Sequence, residues 1–570
     1  METQPEFDNF YTPQNSQFYS EYKYSKLDAV KHEIRLLRLH PRKVSSSNEN
    51  QFHCEVLNNV PIAKIHGRYS AVSYYSGDPQ NTHVISIDGI KFNAFANLWT
   101  AIAQVFLSWK KDVGVLSKGF REKELLLWAD QICINQSDPE ERSQQVGYML
   151  EIYARAEQIF VSIPTKDTVL ENLETARTSL SQNYLGVSPY RQHAAKWHPV
   201  YDILEHPWWN RAWIYQEFIV ASRAYFMFGH GVYIAWAEFA RLTPAFELCL
   251  SVHDQSFQSR LQTDSLRSQL EKDKATLRTC RLEKVRIASL QSATSTVLSI
   301  LGAKRDWKGP VNLSTLLSHG RKCRSSELRD KVYAFIGLAH DMYSIIPNYS
   351  TDNRPVDVFI AATSRIIECE QNLDILREAQ GSRGSAHGIE LPSWVPDWSE
   401  PDSTEARELR EHLCFPADRK KFSNHEPEFS FETRGPGRKG AVLKVKGCCV
   451  AILPYPSIDL DASWRVFKIK LFGTDESVAT TQRAQQGDEL WIFWGSTVPF
   501  LLRKHDEDYI LIGEALLGTQ RKGLSFNRIY YHVTEEELSK EPLNFKPSPF
   551  MKGGRISMLK DEENHSISII

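Results

Sequence analysis

The chain has 570 residues, 42% of them hydrophobic, 11% aromatic and 24% charged, an ordinary globular composition too long for a single core. Its 68 basic and 70 acidic residues leave a formal charge of -2, which excludes an electrostatic footprint for nucleic acid or anionic membrane. Nine cysteines, none in a CxxC pair, support neither a metal site nor a disulfide framework, and no apolar run approaches the roughly 20 residues of a membrane span.

Residues 1–59 read as an N-terminal arm followed by a hairpin, in which KHEIRLLRLHP and FHCEVLNNV alternate in strand fashion. Residues 60–232 read as one α/β unit with a parallel sheet. Its strands are YSAVS (Tyr69–Ser73), LLLW (Leu125–Trp128) and IFVSI (Ile159–Ile163). HVISIDGIKF reads as strand, Asp-Gly turn, strand, and the apolar spacing from Asn93 to Trp109 predicts a helix capped by Asn93. Asp138, Pro139 and Glu141 form the sequence pattern of a capping box opening the next helix. Residues 165–195 read as an inserted helix and loop, and HPWWNRAWIYQEF as a helix from about Trp208. Residues 233–400 are expected to be mainly helical, 401–550 β-rich, and 551–570 a flexible tail.

Ligands of open parallel sheets settle beyond the carboxyl ends of the strands. Two segments put polar residues there: Ser73, Tyr74, Gly77 and Asp78 after the first strand, and Asp130, Asn135 and Gln136 after the second. Asp130 suits a ribose hydroxyl, while Asn135 and Gln136 can offer amide hydrogen bonds to a ligand or simply tie down their own turn. Arg142, one turn into the following helix, is expected near Asp130 and can pair with it, with Glu141 or with an anionic ligand. Cys133 has no histidine within its turn to activate it and reads as a small buried hydrophobe. On a helix, Trp209, Trp213 and Glu217 share a face, with Arg211 and Gln216 beside them. Glu217 can then be a partly desolvated acid/base carboxylate or the rim of a packed helix. GxGxxG, GxxxxGK[ST], HExxH and GxSxG are all absent, which excludes the usual dinucleotide, P-loop, zincin and hydrolase signatures.

Taken together, YSAVSYYSGDP, LWADQICINQSDPEERSQQVGYMLEIYARAEQIFV and HPWWNRAWIYQEFIVA resemble, in order and spacing, the three signature blocks of the fungal heterokaryon incompatibility (HET) domain. RDKVYAFIGLA, LPSWVPDWS and GDELWIFWGSTVPFLLR resemble the region that follows this domain. The resemblance implies a cytoplasmic fungal allorecognition protein whose domain triggers cell death through protein partners, with assembly of its own copies as one route. It also implies a flavodoxin-like fold remotely similar to the Toll/interleukin-1 receptor (TIR) domain. By that likeness Glu217 is the candidate catalytic carboxylate of an NAD glycohydrolase, with NAD as substrate and no bound cofactor. Asp130, Arg142 and the Ser73–Asp78 loop would then shape its pocket. Ser76 stands where the family's first block carries tryptophan.

Overall fold

The computed structural model describes residues 13–39, 52–111, 125–165, 202–229, 232–242, 274–379, 387–401, 426–434, 440–456, 458–460, 464–471, 474–520, 545–547 and 565–570. The inserted segment expected at 165–195 lies outside these residues except for Thr165. The chain divides into two units: residues 1–310, 323–338 and 346–350, and residues 311–322, 339–345 and 351–570.

The first unit is built on a nine-stranded sheet. Its strands are β1 (Glu33–Leu39), β2 (His53–Pro61), β3 (Ser70–Ser73), β4 (Thr82–Ile87), β5 (Ile90–Phe95), β6 (Leu125–Trp128), β7 (Gln158–Ser162), β8 (Ala224–Gly229) and β9 (Val232–Ala235). They lie in the order β5-β4-β2-β1-β6-β3-β7-β8-β9. The three predicted strands pair in parallel, β3 between β6 and β7, and β8 continues the parallel run beside β7. Strand β3 is buried along its whole length, as a central parallel strand covered on both faces must be. The sheet is mixed rather than wholly parallel, because β1 pairs antiparallel with β2 and β6, and β9 with β8. The hairpin within residues 1–59 is therefore continuous with the sheet of residues 60–232: Leu36, Leu37 and Leu39 leave no exposed surface on β1 and need a neighbouring strand.

The helices of this unit follow the sequence closely in two places and depart from it in two. Helix α1 (Ser16–Glu21) seats Phe18 against Phe92, and Asn15 bonds both the N–H and the carbonyl of Asn93 on edge strand β5. Asn93 is thus a strand residue and not the expected helix cap. After the short α2 (Ile62–Ile65), α3 (Ala96–Lys111) forms directly from β5. A single turn, α4 (Asp130–Cys133), precedes α5 (Pro139–Gly147) and α6 (Met149–Arg155). Asp138 caps α5 through the N–H groups of Glu140 and Glu141, but the return half of the capping box does not form. Glu141 accepts instead from Asn135 N and from both terminal nitrogens of buried Arg35 on β1, because a charged partner outbids a neutral N–H.

The predicted helix from Trp208 is the second departure. The chain forms a 3-10 turn, Pro207–Asn210, breaks at Arg211, and then makes a π-turn, Tyr215–Ile219. The i,i+4 face expected of Trp209, Trp213 and Glu217 does not exist. Trp209 packs on Phe226 and Phe239, whereas Trp213 donates to Asp330.

The helical stretch 233–400 is shared between the two units rather than standing alone. Helices Lys274–Asp306 and Asp330–Ile336 belong to the first, Leu313–Gly320 and Pro355–Glu370 to the second. A seven-residue helix such as Asp330–Ile336 is marginal in isolation and is held by what it packs against.

The second unit contains strands β10 (Phe429–Arg434), β11 (Gly440–Ile452), β12 (Ile458–Leu460), β13 (Trp464–Leu471), β14 (Thr474–Thr481), β15 (Glu489–Phe493), β16 (Phe500–His505), β17 (Asp508–Glu514), β18 (Leu516–Gln520), β19 (Phe545–Pro547) and β20 (His565–Ile569). Strands β11, β15, β16, β17 and β20 pair in a ring, since β20 bonds both β17 and β11. The other sheet runs β12-β13-β14-β18-β19, and Phe467 and Val478 from it share one apolar core with Leu490 and Leu501. The flexible tail expected at 551–570 is corrected at its end: His565–Ile569 is a strand, drawn in by the alternating buried residues Ile567 and Ile569.

Candidate functional site

The order of the four parallel strands, β6-β3-β7-β8, reverses between β3 and β7, so the carboxyl end of β3 lies at the topological switch point of the sheet. Ser73 ends that strand. Its hydroxyl accepts from Trp208 Nε1 at 2.7 Å and donates to Glu217 Oε2. Arg211 closes on the same carboxylate with two nitrogens, Nη1 to Oε2 and Nη2 to Oε1, each at 3.1 Å. Glu217 is 1% exposed and Arg211 12%. Tyr74, next along the chain, donates to Asp130 Oδ1 at 2.7 Å.

Two acids therefore share one guanidinium. Burial pushes the Asp130 carboxyl up to about 6, against the pull of Arg211 and the Tyr74 hydrogen bond, while Glu217 pushes it further up. Burial alone would lower Arg211, but Glu217 and Asp130 outweigh it and hold the guanidinium above its ordinary range. Tyr153, whose hydroxyl donates to Val72 O at 3.1 Å, is buried near both acids, and its own pKa is raised by burial and then by Glu217 and Asp130.

The other sequence candidates separate into two groups. Gln136 donates to Asp130 O at 2.9 Å, and Asn135 accepts from Ser137 N and Oγ, so both tie down the turn from Asp130 to Asp138. Asp78 is exposed and accepts from Gln80 N; Gly77 has φ +77°, and its close neighbour Asn97 donates to Tyr75 O. Neither Gly77 nor Asp78 joins the Ser73–Arg211–Glu217 cluster. Burial pushes the Cys133 thiol up to about 12, far from a reactive thiolate.

Arg142 does not take the place expected of it beside Asp130. Its guanidinium stacks on the Tyr349 ring, 3.9 Å from the centroid, and faces buried Asp330, while Asp130 has Arg211. Asp330 accepts from Tyr349 Oη and from Trp213 Nε1 at 3.0 Å, and burial pushes it up to about 6 despite Arg142. Gln216 donates to Tyr333 O at 2.9 Å. Trp213 and Gln216 thus face residues 330–349 rather than the Glu217 carboxylate. Sequence reasoning also missed Arg35, on strand β1, and Lys304, in a long charged helix; both are buried, and a lone cation in either setting carries no local signal.

With this geometry in place, comparison identifies the class. The heterokaryon incompatibility protein (HET) family model matches residues 69–217, a span that begins at β3 and ends on Glu217. That segment is thus similar to the heterokaryon incompatibility domain. Among curated proteins it is 26% identical over 418 residues to heterokaryon incompatibility protein 6, OR allele, of Neurospora crassa. The match covers 64% of this chain and 58% of that relative, so the chain spans little more than half the length of the protein it matches. No solved structure gives a significant match. Among the described residues no helix is long and apolar enough to cross a membrane, and no cluster of three metal-binding side chains occurs.

Proposed function

We propose that this chain acts in fungal vegetative incompatibility and that its HET domain triggers cell death by signalling and assembly with protein partners, not by chemistry at Glu217. The observation that carries the reading is the closure of that carboxylate. Ser73 and Arg211 take Oε2, and Arg211 takes Oε1, on a side chain that is 1% exposed. A carboxylate that is to stabilise an oxocarbenium-like ribose must present an oxygen and its charge to the substrate. Here the charge is matched by a two-point guanidinium pair, which is the expected state of a buried structural acid.

The strand order β6-β3-β7-β8 (second, first, third, fourth along the chain) is the opening of a flavodoxin-like sheet and supports the remote likeness to TIR domains. That likeness keeps NAD cleavage as the rival, and one experiment separates them. Purified full-length protein is incubated with NAD beside its Glu217→Ala variant, and both are expressed in a fungal host and scored for growth arrest. Growth arrest by the wild type with NAD left intact is expected. NAD loss that disappears in the variant would overturn the proposal.

A further inference from the structure

The family match stops at Glu217, yet the turn that carries Arg211 and Glu217 is held not only by Ser73 and the helix Met149–Arg155 but also by residues that come later in the chain. Arg324 N donates to Asn210 O at 2.5 Å, and Ala212 N donates to Arg324 O at 3.0 Å, so the backbone on both sides of Arg211 is paired with residue 324. Asp330 holds the Trp213 indole, and the carbonyl of Tyr333 holds the Gln216 amide. A Cβ added to Gly337 would lie 2.9 Å from Gln216 Oε1 and 3.0 Å from Leu150 Cβ, so the glycine lets this segment approach as closely as it does.

The far side of the turn is held by one cation. A π-turn leaves carbonyls without intrahelical donors at its end. Lys304, on helix Lys274–Asp306, supplies them: its ammonium donates to Phe218 O and Ala221 O at 2.6 Å and to Ile219 O at 3.4 Å. The same ammonium sits over the rings of Phe218 and Trp236, at 4.7 and 5.2 Å from their centroids. All three donors are used on backbone carbonyls, and burial lowers this lysine to about 8, a cost retained for the sake of the carbonyls it caps.

We infer that Lys304 and the segment 324–337 are positioning elements of the HET site, holding the turn from Asn210 to Ala221 so that Arg211 closes on Glu217. The functional module of this chain thus extends about 120 residues beyond the family-matched span, by subtraction of 217 from 337. This rests on the proposed reading of the family-matched domain as a signalling domain, and takes its closed Ser73–Arg211–Glu217 cluster to be required for that signalling. It adds that RDKVYAFIGLA, although distant in sequence, is part of that site's scaffold.

The test is amide hydrogen exchange by mass spectrometry on full-length wild type, Lys304→Met, Lys304→Arg and Asp330→Ala, with growth arrest scored in the same host. Lys304→Met should raise exchange at least tenfold in peptides covering 213–221, and Asp330→Ala should do so at the 210–217 end. Peptides from β3, β6 and β7 should keep wild-type protection. Lys304→Arg, which retains a cation, should restore most of the protection, and the two disruptive variants should lose growth arrest, as should Glu217→Ala. Unchanged exchange across 210–221 in both disruptive variants overturns the inference. So does loss of protection in the strands together with the turn, which would make these residues general supports of the unit. If the turn loosens while growth arrest persists in these variants and in Glu217→Ala, the positioning role stands and the signalling reading of the cluster falls.

Discussion

The two units solve the problem of buried carboxylates differently. In the C-terminal unit, Asp488, Asp508 and Glu514 are buried, and each faces an arginine of its own: Arg503, Arg434 and Arg377. These arginines keep 33%, 26% and 15% of their side-chain surface in solvent, so their desolvation is partial. At the carboxyl end of β3, Glu217 and Asp130 share Arg211, and Asp130 hydrogen-bonds to neutral donors, Tyr74 Oη and Gln131 N. One-to-one pairing is ordinary stabilisation. Two buried acids on one cation are a costlier arrangement, and here it lies at the topological switch point of the sheet.

The largest effect should come from removing the shared cation. Arg211→Met leaves two buried acids without a counter-charge and should cost about 3–5 kcal/mol in the denaturant transition of the N-terminal unit. Arg434→Met in the other unit leaves a single buried acid, Asp508, whose partner was already partly solvated, and should cost less, about 1–3 kcal/mol. Equal losses would erase the distinction between the units.

Close backbone approach gives a second contrast. A Cβ on Gly447 would meet the Ile492 carbonyl oxygen at 2.5 Å, in a ladder that cannot shift without breaking strand pairing. Gly447→Ala should cost about 2–3 kcal/mol, and Gly337→Ala less, about 1–2 kcal/mol, because it meets side-chain atoms of Gln216 and Leu150 rather than backbone. Thermal or denaturant midpoints of the two variants measure the difference, and the reverse order would place the tighter packing beside the Glu217 turn.

The third contrast concerns pH. Burial raises Asp330 from 3.8 to about 6, so its protonated form is favoured in the folded state. Its contribution to stability is fully present below pH 3.8 and is lost as pH rises to about 6. Asp330→Asn lacks this loss, so its stability relative to wild type should rise across that window by on the order of 2 kcal/mol. A difference independent of pH, measured by melting at several pH values, would show that Asp330 titrates normally. Smallest of all, Asp78→Ala removes an exposed turn acceptor and should shift stability by less than about 0.5 kcal/mol while leaving growth arrest unchanged. Loss of growth arrest there would extend the site to the Ser73–Asp78 loop.

Strand identity was legible in the sequence because apolar runs such as LLLW and IFVSI are short, dense and bounded by polar turns, and a strand's pattern repeats every second residue. The Asp-Gly hairpin between β4 and β5 was legible for a related reason: Asp88 and Gly89 both adopt positive φ, which few residue pairs tolerate. The cap at Asp138 was legible too, since a cap is made with neighbours two and three residues away. All of these are decided by local sterics and local hydrogen bonds. The π-turn was not legible. WWNRAWIYQE has helical spacing, and the broken turn is instead fixed by distant partners, among them Arg324, which pairs with Asn210 and Ala212, and the ammonium of Lys304. The partners of the charged residues were equally hidden. Arg142, a turn away from Asp130 in sequence, went to Asp330, and Glu141 went to Arg35, 106 residues earlier. Coulomb attraction in a buried environment depends on distance in space and on which charges lose water together, and neither is recorded in the order of residues along the chain.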